Sequence, residues 1–123
     1  MLNVDIDEQN RVAVLSVEGP LSELDFRKAA NVIDPYIDEF GHLNGLIIST
    51  KTFPGWESFA ALLSHLKFVK GHHKKITFVA FVTDSPLGEL AERIASHFVA
   101  AKIKGFNYDD LALAIEWIVE SNG

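Results

Sequence analysis

The chain has 123 residues with 17 acidic and 11 basic side chains, a formal net charge of −6 and no cysteine. Domains contain roughly 100–200 residues, so we expect one domain spanning residues 1–123, and a 48 % hydrophobic fraction argues against a disordered chain. The missing cysteine excludes a disulfide scaffold and a thiolate metal site. The acidic balance disfavours nucleic acid as a partner, because its phosphates attract clustered Lys and Arg.

No apolar run approaches the ~20 residues that span a bilayer, and no export signal is visible, so we expect a cytoplasmic protein.

The N-terminal residues predict an antiparallel hairpin. Leu2, Val4 and Ile6 alternate with polar residues, the pattern of a half-buried strand. A second run, Arg11–Val17, follows the polar turn Glu8–Asn10 closely, so the two strands are expected to pair.

A helix is predicted next, with Ser22 as its N-cap and Gly41 as its end. Its apolar stripe consists of Phe26, Ala29, Ala30, Ile33, Ile37 and Phe40. Pro35 lies inside this stripe and removes a backbone donor, so we expect a kink or a restart near Asp34.

Three further strands and three further helices complete the predicted order. The strands are the apolar runs Leu46–Ile48 and Ile76–Val82 and the charged edge strand Lys102–Phe106. Two helices, about Trp56–Lys70 and from Ser85 onward, lie between these strands, and Asn107 is expected to cap a last helix. The order ββαβαβαβα predicts an α/β fold with a mainly parallel sheet, an antiparallel N-terminal hairpin and helices on both faces.

Three stretches in this order resemble a known family. They are Phe53-Pro54-Gly55-Trp56-Glu57, Leu66-Lys67-Phe68 with the strand Ile76–Thr83, and Phe106 leading into Ala114-Ile115-Glu116-Trp117-Ile118. Together with the ββα start, they resemble the SpoIIAA-like family, relatives of the STAS domains found in anti-sigma-factor antagonists and anion transporters. The resemblance implies a STAS-like single domain. That fold is similar to the lipid-carrying CRAL-TRIO domains, which implies binding of a hydrophobic ligand near membranes.

Ser58 lies where the antagonists carry a regulatory phosphoserine in an Asp-Ser-Ser-Gly motif. The matching residues here are Glu57-Ser58-Phe59-Ala60, so the motif keeps one serine and loses the second serine and the glycine. Phosphate is favourable at a helix N-terminus, so Ser58 remains a possible phosphorylation site. The alternative is a first-turn residue with no special role.

No sequence motif indicates an enzyme. The chain has no Gly-x-Ser-x-Gly elbow, no phosphate-binding glycine loop and no dinucleotide fingerprint, so we expect no catalytic residues and no cofactor. His65, His72 and His73 lack the i, i+4 spacing of a helical metal pair, so we expect solvated histidines and no metal site.

A basic segment, residues 67–75, interrupts the acidic chain. It contains Lys67, Lys70, Lys74 and Lys75. These lysines either offset the negative end of a helix or contact anionic lipid headgroups. Phe68 falls opposite the apolar arc of the predicted second helix, so it is the residue expected to insert into a membrane.

The apolar arc of the second helix is either ordinary core or part of a ligand pocket against the third helix. The candidate lining is Phe53, Trp56, Phe59, Leu63, Leu87, Leu90 and Phe98. Our leading interpretation is non-enzymatic binding of a small hydrophobic or lipid-like ligand, with reversible association at the inner membrane face. The alternative is a STAS-type protein–protein regulatory module.

The last helix carries more apolar side chains than one face requires. Its expected core stripe is Leu111, Ala114, Ile115, Ile118 and Val119, while Leu113 and Trp117 project to another side. Either Trp117 lies across a neighbouring helix, or Leu113 and Trp117 form a self-association surface, giving a homo-oligomer.

Overall fold

The computed structural model describes residues 2–19, 21–52, 76–84 and 102–122. Its five strands are β1 Leu2–Asp7, β2 Val12–Val17, β3 Leu43–Ser49, β4 Ile76–Val82 and β5 Lys102–Phe106. Its helices are α1 Glu23–Phe40 and α2 Leu111–Asn122, the latter preceded by a 3-10 turn at Tyr108–Asp110. The predicted second and third helices lie outside the described residues.

The strands form one sheet in chain order, β1 to β5. β1 and β2 are antiparallel, and the pairs β2–β3, β3–β4 and β4–β5 are parallel. The structure therefore confirms the α/β class, the mainly parallel sheet and the N-terminal hairpin.

The two described helices cover opposite faces of the sheet. α1 packs on a face that includes Leu15, Ile48 and Phe81, and α2 packs on the other, which includes Ile47 and Phe78. Adjacent residues of β3 are thus buried on different faces, which explains why its sequence shows no polar alternation. The prediction of helices on both faces is confirmed.

Both ends of α1 are formed by the residues predicted for them. The Ser22 hydroxyl accepts a hydrogen bond from Asp25 N at 3.3 Å, and Ser22 N donates to the Asp25 carboxylate at 2.9 Å, which completes a capping box. At the other end, Gly41 adopts a left-handed conformation with φ 88°, and its N–H donates to the Ile37 carbonyl at 2.7 Å. This conformation favours glycine because a Cβ would be strained there.

The predicted restart near Asp34 is wrong, because α1 runs as one helix from Glu23 to Phe40 with Pro35 inside it; the alternative, a kink at this point, stays a prediction. Proline removes the hydrogen bond to the carbonyl four residues earlier, that of Asn31. Pro35 and Asn31 are both exposed, so water can hydrate that carbonyl and the helix can continue.

The core stripe of α1 also differs from the prediction at its C-terminal end. Tyr36 is buried, whereas Phe40 is 42 % exposed and is not a core residue. The Phe40 ring centroid lies 4.6 Å from that of Tyr36 and 5.9 Å from the guanidinium carbon of Arg11. Phe40 lies in the last turn, so it packs on side chains at the rim of the sheet.

The start and the stripe of the last helix require two corrections. The Asn107 side chain makes no capping hydrogen bond. The main-chain carbonyl of Asn107 accepts from Asp110 N at 2.9 Å, within a 3-10 turn that delays the start of α2 to Leu111. Val119, predicted as core, is 39 % exposed, because Ala114 and Ile118 form the centre of the buried face.

Candidate functional site

Most of the predicted site residues lie outside the described residues. This holds for the whole predicted ligand pocket, the membrane-contact lysines with Phe68, and Ser58. These assignments therefore stay predictions. Of the predicted interaction residues, Leu113 and Trp117 are described.

Within the described ranges, no group of three or more His, Cys, Asp or Glu could hold a metal ion. The described helices include none long and apolar enough to cross a membrane.

The carboxyl ends of the four parallel strands meet at one edge of the sheet. The loops that leave this edge, residues 18–19, 50–52, 83–84 and 107–108, form what we call the strand-end surface. Ligands of α/β sheets commonly bind at this edge. Among the described residues, the buried polar side chains are Thr50 and Thr83 on this surface and Ser49, the last residue of β3, beside it.

Backbone hydrogen bonds extend the sheet into the strand-end surface. Thr50 N donates to the Val82 carbonyl at 3.0 Å, and Thr83 N donates to the Phe106 carbonyl at 3.0 Å. The pairing between neighbouring strands therefore continues one residue beyond β3 and β4, and the first residue of each loop is held by the sheet.

Further hydrogen bonds, from main-chain and side-chain groups, join the loops to one another. The Lys51 carbonyl accepts from the Thr83 hydroxyl at 3.4 Å and from Asp84 N at 3.3 Å. The Asp84 carboxylate accepts from Tyr108 N at 3.2 Å. Within its own loop, the Thr50 hydroxyl donates to the Thr52 carbonyl at 2.8 Å. The loops after β3, β4 and β5 are thus held together through three successive contacts.

Two adjoining clefts, of about 100 and 270 Å³, open at the strand-end surface. They share Val17, Glu18 and Tyr108, and the side chains of Glu18 and Lys51 supply opposite charges. The full lining is Asn3, Ser16, Val17, Glu18, Gly19, Ser49, Thr50, Lys51, Thr52 and Tyr108. This arrangement can form hydrogen bonds and ion pairs with a polar partner.

Asp25 lies in the first turn of α1, a few residues after the loop that follows β2, and its role is structural. Its pKa lies below the ordinary value because the Ser22 backbone N–H donates to the carboxylate, and the Ser22 hydroxyl adds a second hydrogen bond. The hydrogen bonds that lower this pKa are those of the capping box, so Asp25 stabilises the start of α1.

A second surface lies between β5 and α2. The Trp117 ring centroid is 5.2 Å from that of Phe78 in an edge-on arrangement and 5.8 Å from that of Phe106. Trp117 thus packs on β4 and β5. The predicted second and third helices lie outside the described residues, so the interpretation that Trp117 also lies across a neighbouring helix stays a prediction. Leu113 is 51 % exposed, in agreement with its predicted position off the core stripe.

Lys104 completes this second surface, which we call the α2 groove. Its ammonium nitrogen lies 5.3 Å from the Phe106 ring centroid and 5.8 Å from the Trp117 ring centroid. Such cation–π contacts orient the lysine along the groove. The groove has a volume of about 360 Å³ and is lined by Lys104, Phe106, Leu113, Glu116, Trp117 and Glu120.

Sequence reasoning missed most residues of both surfaces. Lys51, Asp84 and Tyr108 each lie two residues beyond the end of a strand, and the order of the strands was the signal that could have grouped them. Lys104 and Phe106 are two residues apart on β5, so the period of two places them on one face of the sheet.

One comparison with known proteins identifies a family. The model of the family described as SpoIIAA-like matches residues 12–119, which is most of the chain. No curated protein and no solved structure shows a significant match. The matched range contains β2 to β5, α1, the loops of the strand-end surface and α2 as far as Val119, so it includes the α2 groove except Glu120. The chain therefore belongs to the SpoIIAA-like family.

Proposed function

We propose that this protein is a non-catalytic regulatory module that binds a protein partner through the strand-end surface. The observation that carries the proposal is the set of hydrogen bonds that join the loops after β3, β4 and β5. Family membership supports the same class of function, because the related STAS domains of anti-sigma-factor antagonists act by binding proteins.

The physical argument is preorganisation. Ordering flexible loops on binding costs free energy, so loops that are already held by hydrogen bonds bind with a smaller loss. The exposed side chains of Glu18, Lys51 and Asp84 provide charges of both signs, which set the orientation of a partner more than its affinity. The hydroxyls of Thr50 and Thr83 donate to main-chain carbonyls, so they maintain the loops.

The proposal is tested by charge reversal at the strand-end surface. The tagged protein is used to capture partners from cells that express it, and any stoichiometric partner is purified for affinity measurement. Lys51→Glu should weaken that complex by about tenfold or more, since like charges brought together at an interface oppose binding. Lys28→Glu, an equal charge change at an exposed site on α1, is the matched control. Equal affinities for both variants would contradict the strand-end surface as the binding site.

Ser58 is the proposed control point of such a complex. A phosphate there adds negative charge, so Ser58→Asp should release the partner while Ser58→Ala retains it. Unchanged binding by Ser58→Asp would remove the phosphoserine switch and leave partner binding itself in place.

We propose binding of a hydrophobic or lipid-like ligand at the membrane as a second candidate. It is favoured by the basic segment, residues 67–75, and by the position of Phe68. In this function the lysines contact anionic headgroups at the inner membrane face, each contributing on the order of 1 kcal/mol. Phe68 inserts, and the predicted apolar pocket, from Phe53 to Phe98, holds the ligand.

Sedimentation with vesicles tests the membrane interaction. Vesicles that contain phosphatidylserine should retain the protein, and vesicles of phosphatidylcholine alone should not; added salt should reduce the retention. Lys74→Glu with Lys75→Glu should abolish it, whereas Lys28→Glu with Lys102→Glu changes the net charge equally and should have a smaller effect. Equal retention of the two double variants would refute the role of the basic segment.

Native mass spectrometry of the purified protein tests for a co-purified small molecule.

A further inference from the structure

We propose that two copies of this chain associate through the α2 groove. The groove shares no residue with the strand-end surface, so this association is separate from the proposed function. It combines apolar surface, from the exposed Leu113 and the partly buried Trp117, with charges of both signs, from Lys104, Glu116 and Glu120.

The charges favour a second copy of this chain as the occupant. Two molecules that each carry a net charge of −6 repel one another over most of their surfaces. In the α2 groove, a two-fold axis brings Lys104 of each copy to Glu116 and Glu120 of the other. An interface of this type is formed by the same patch on both subunits, so it must be self-complementary, and the groove meets that requirement.

The spacing along α2 gives the geometry of the contact. Leu113, Trp117 and Glu120 recur at i, i+4 and i+7, so they lie along one side of the helix. Two such helices in antiparallel orientation place the apolar side chains at the centre of the contact and Glu120 of each copy toward its ends. Burial of the exposed part of Leu113 and Trp117 then stabilises the pair.

The contact is expected to be between helices and not between strands. β5 is the edge strand of the described sheet. Its exposed Lys102 and Lys104 discourage another strand from pairing there. With six lining residues per copy, the groove is smaller than a standard interface, so the dimer should be weak and its population should depend on concentration.

Sedimentation equilibrium of the full chain over a wide range of concentration tests the proposal. The wild-type protein should show a reversible monomer–dimer equilibrium, and Leu113→Glu should weaken it at least about tenfold. Leu24→Glu is the matched control, because Leu24 is 76 % exposed and lies on α1; this variant should dimerise as the wild type does. A wild-type protein that is monomeric at every concentration, or a dimer that Leu113→Glu does not weaken, overturns the proposal.

A charge-exchange experiment distinguishes a second copy from any other occupant and does not depend on the folding of Leu113→Glu. Lys104→Glu and the double variant Glu116→Lys with Glu120→Lys should each dimerise more weakly than the wild type. Each variant paired with itself places like charges together across the two-fold axis. In the mixed pair, every contact across the axis again joins a lysine to a glutamate, so a heterodimer should form more strongly than either homodimer. A mixture that associates no better than its separate components refutes the proposed geometry.

Discussion

Gly45 of β3 leaves room for the Ile118 side chain of α2. A Cβ placed on Gly45 would lie 2.5 Å from Ile118 Cδ1 and 2.8 Å from Ile118 Cγ2, closer than non-bonded carbons pack. Ile118 is fully buried, so it has little room to move away. We expect Gly45→Ala to reduce the free energy of unfolding by about 1–3 kcal/mol, the usual cost of overpacking a core.

Urea denaturation of a double-mutant cycle tests this contact. Ile118→Val removes the nearest methyl carbon, so Gly45→Ala should cost less in the Ile118→Val background than in the wild type. Equal costs in both backgrounds would mean that the contact with Ile118 is not what restricts this position.

Asp25 makes stability depend on pH in a stated direction. Hydrogen bonds from Ser22 lower its folded-state pKa below the ordinary value of 3.8, so the folded state favours the ionised carboxylate. The resulting stabilisation is present above the unfolded-state pKa and is lost as the pH falls through the folded-state pKa. Asp25→Asn should therefore be less stable than the wild type at neutral pH, and the difference should shrink in acid. Thermal denaturation measures this change, with Asp38→Asn on the same helix as the control. A difference that is constant with pH would contradict this account.

At the scale of a single element, Pro35 lowers the stability of α1. Proline in a helix interior is about 3 kcal/mol less favourable than alanine, and part of this is offset because proline also restricts the unfolded chain. Pro35 is exposed, so replacing it disturbs no core contact. Pro35→Ala should raise the free energy of unfolding by about 1–3 kcal/mol, with Lys28→Ala as an exposed control on α1. An unchanged midpoint of denaturation would contradict this prediction and indicate that the missing hydrogen bond to the Asn31 carbonyl is already compensated.

Individual elements show how far local pattern predicts this fold. The bounds of β4 and β5 match the prediction, because each run ends at polar or turn residues. β3 is longer than its apolar run and begins at Leu43, because pairing with β4 starts there and Gly45 pairs with both neighbouring strands. The continuity of α1 through Pro35 depends on solvent exposure, which the stripe alone does not specify.

The candidate site was less predictable than the fold for a related reason. Leu113 could be identified because helical spacing places it off the core stripe. Lys51, Asp84 and Tyr108 are far apart in the chain and meet only because the strands lie in the order β1 to β5. Pattern in a single segment carries no information about such a meeting.

The charge of the whole molecule is unevenly distributed, and this affects both the proposed dimer and the proposed contact with a membrane. The net charge is −6, yet the α2 groove contains Lys104 among its aromatic rings and residues 67–75 contain four lysines. Screening limits the reach of each charge to about 8–10 Å at physiological salt. A partner therefore responds to the local charge, and the average acidity of the chain does not exclude anionic surfaces.

Acidification should strengthen any contact with anionic vesicles. Histidine is the side chain that ordinarily gains a proton between about pH 8 and pH 5, and protonation of all five histidines would bring the net charge from −6 to −1. His65, His72 and His73 lie in or beside the basic segment, so their protons add to its positive charge. Retention on phosphatidylserine vesicles should rise as the pH falls, and His72→Gln with His73→Gln should flatten that rise. His42→Gln, at an exposed position before β3, should preserve it. Retention by the wild-type protein that does not vary with pH would show that these histidines do not contribute to membrane contact.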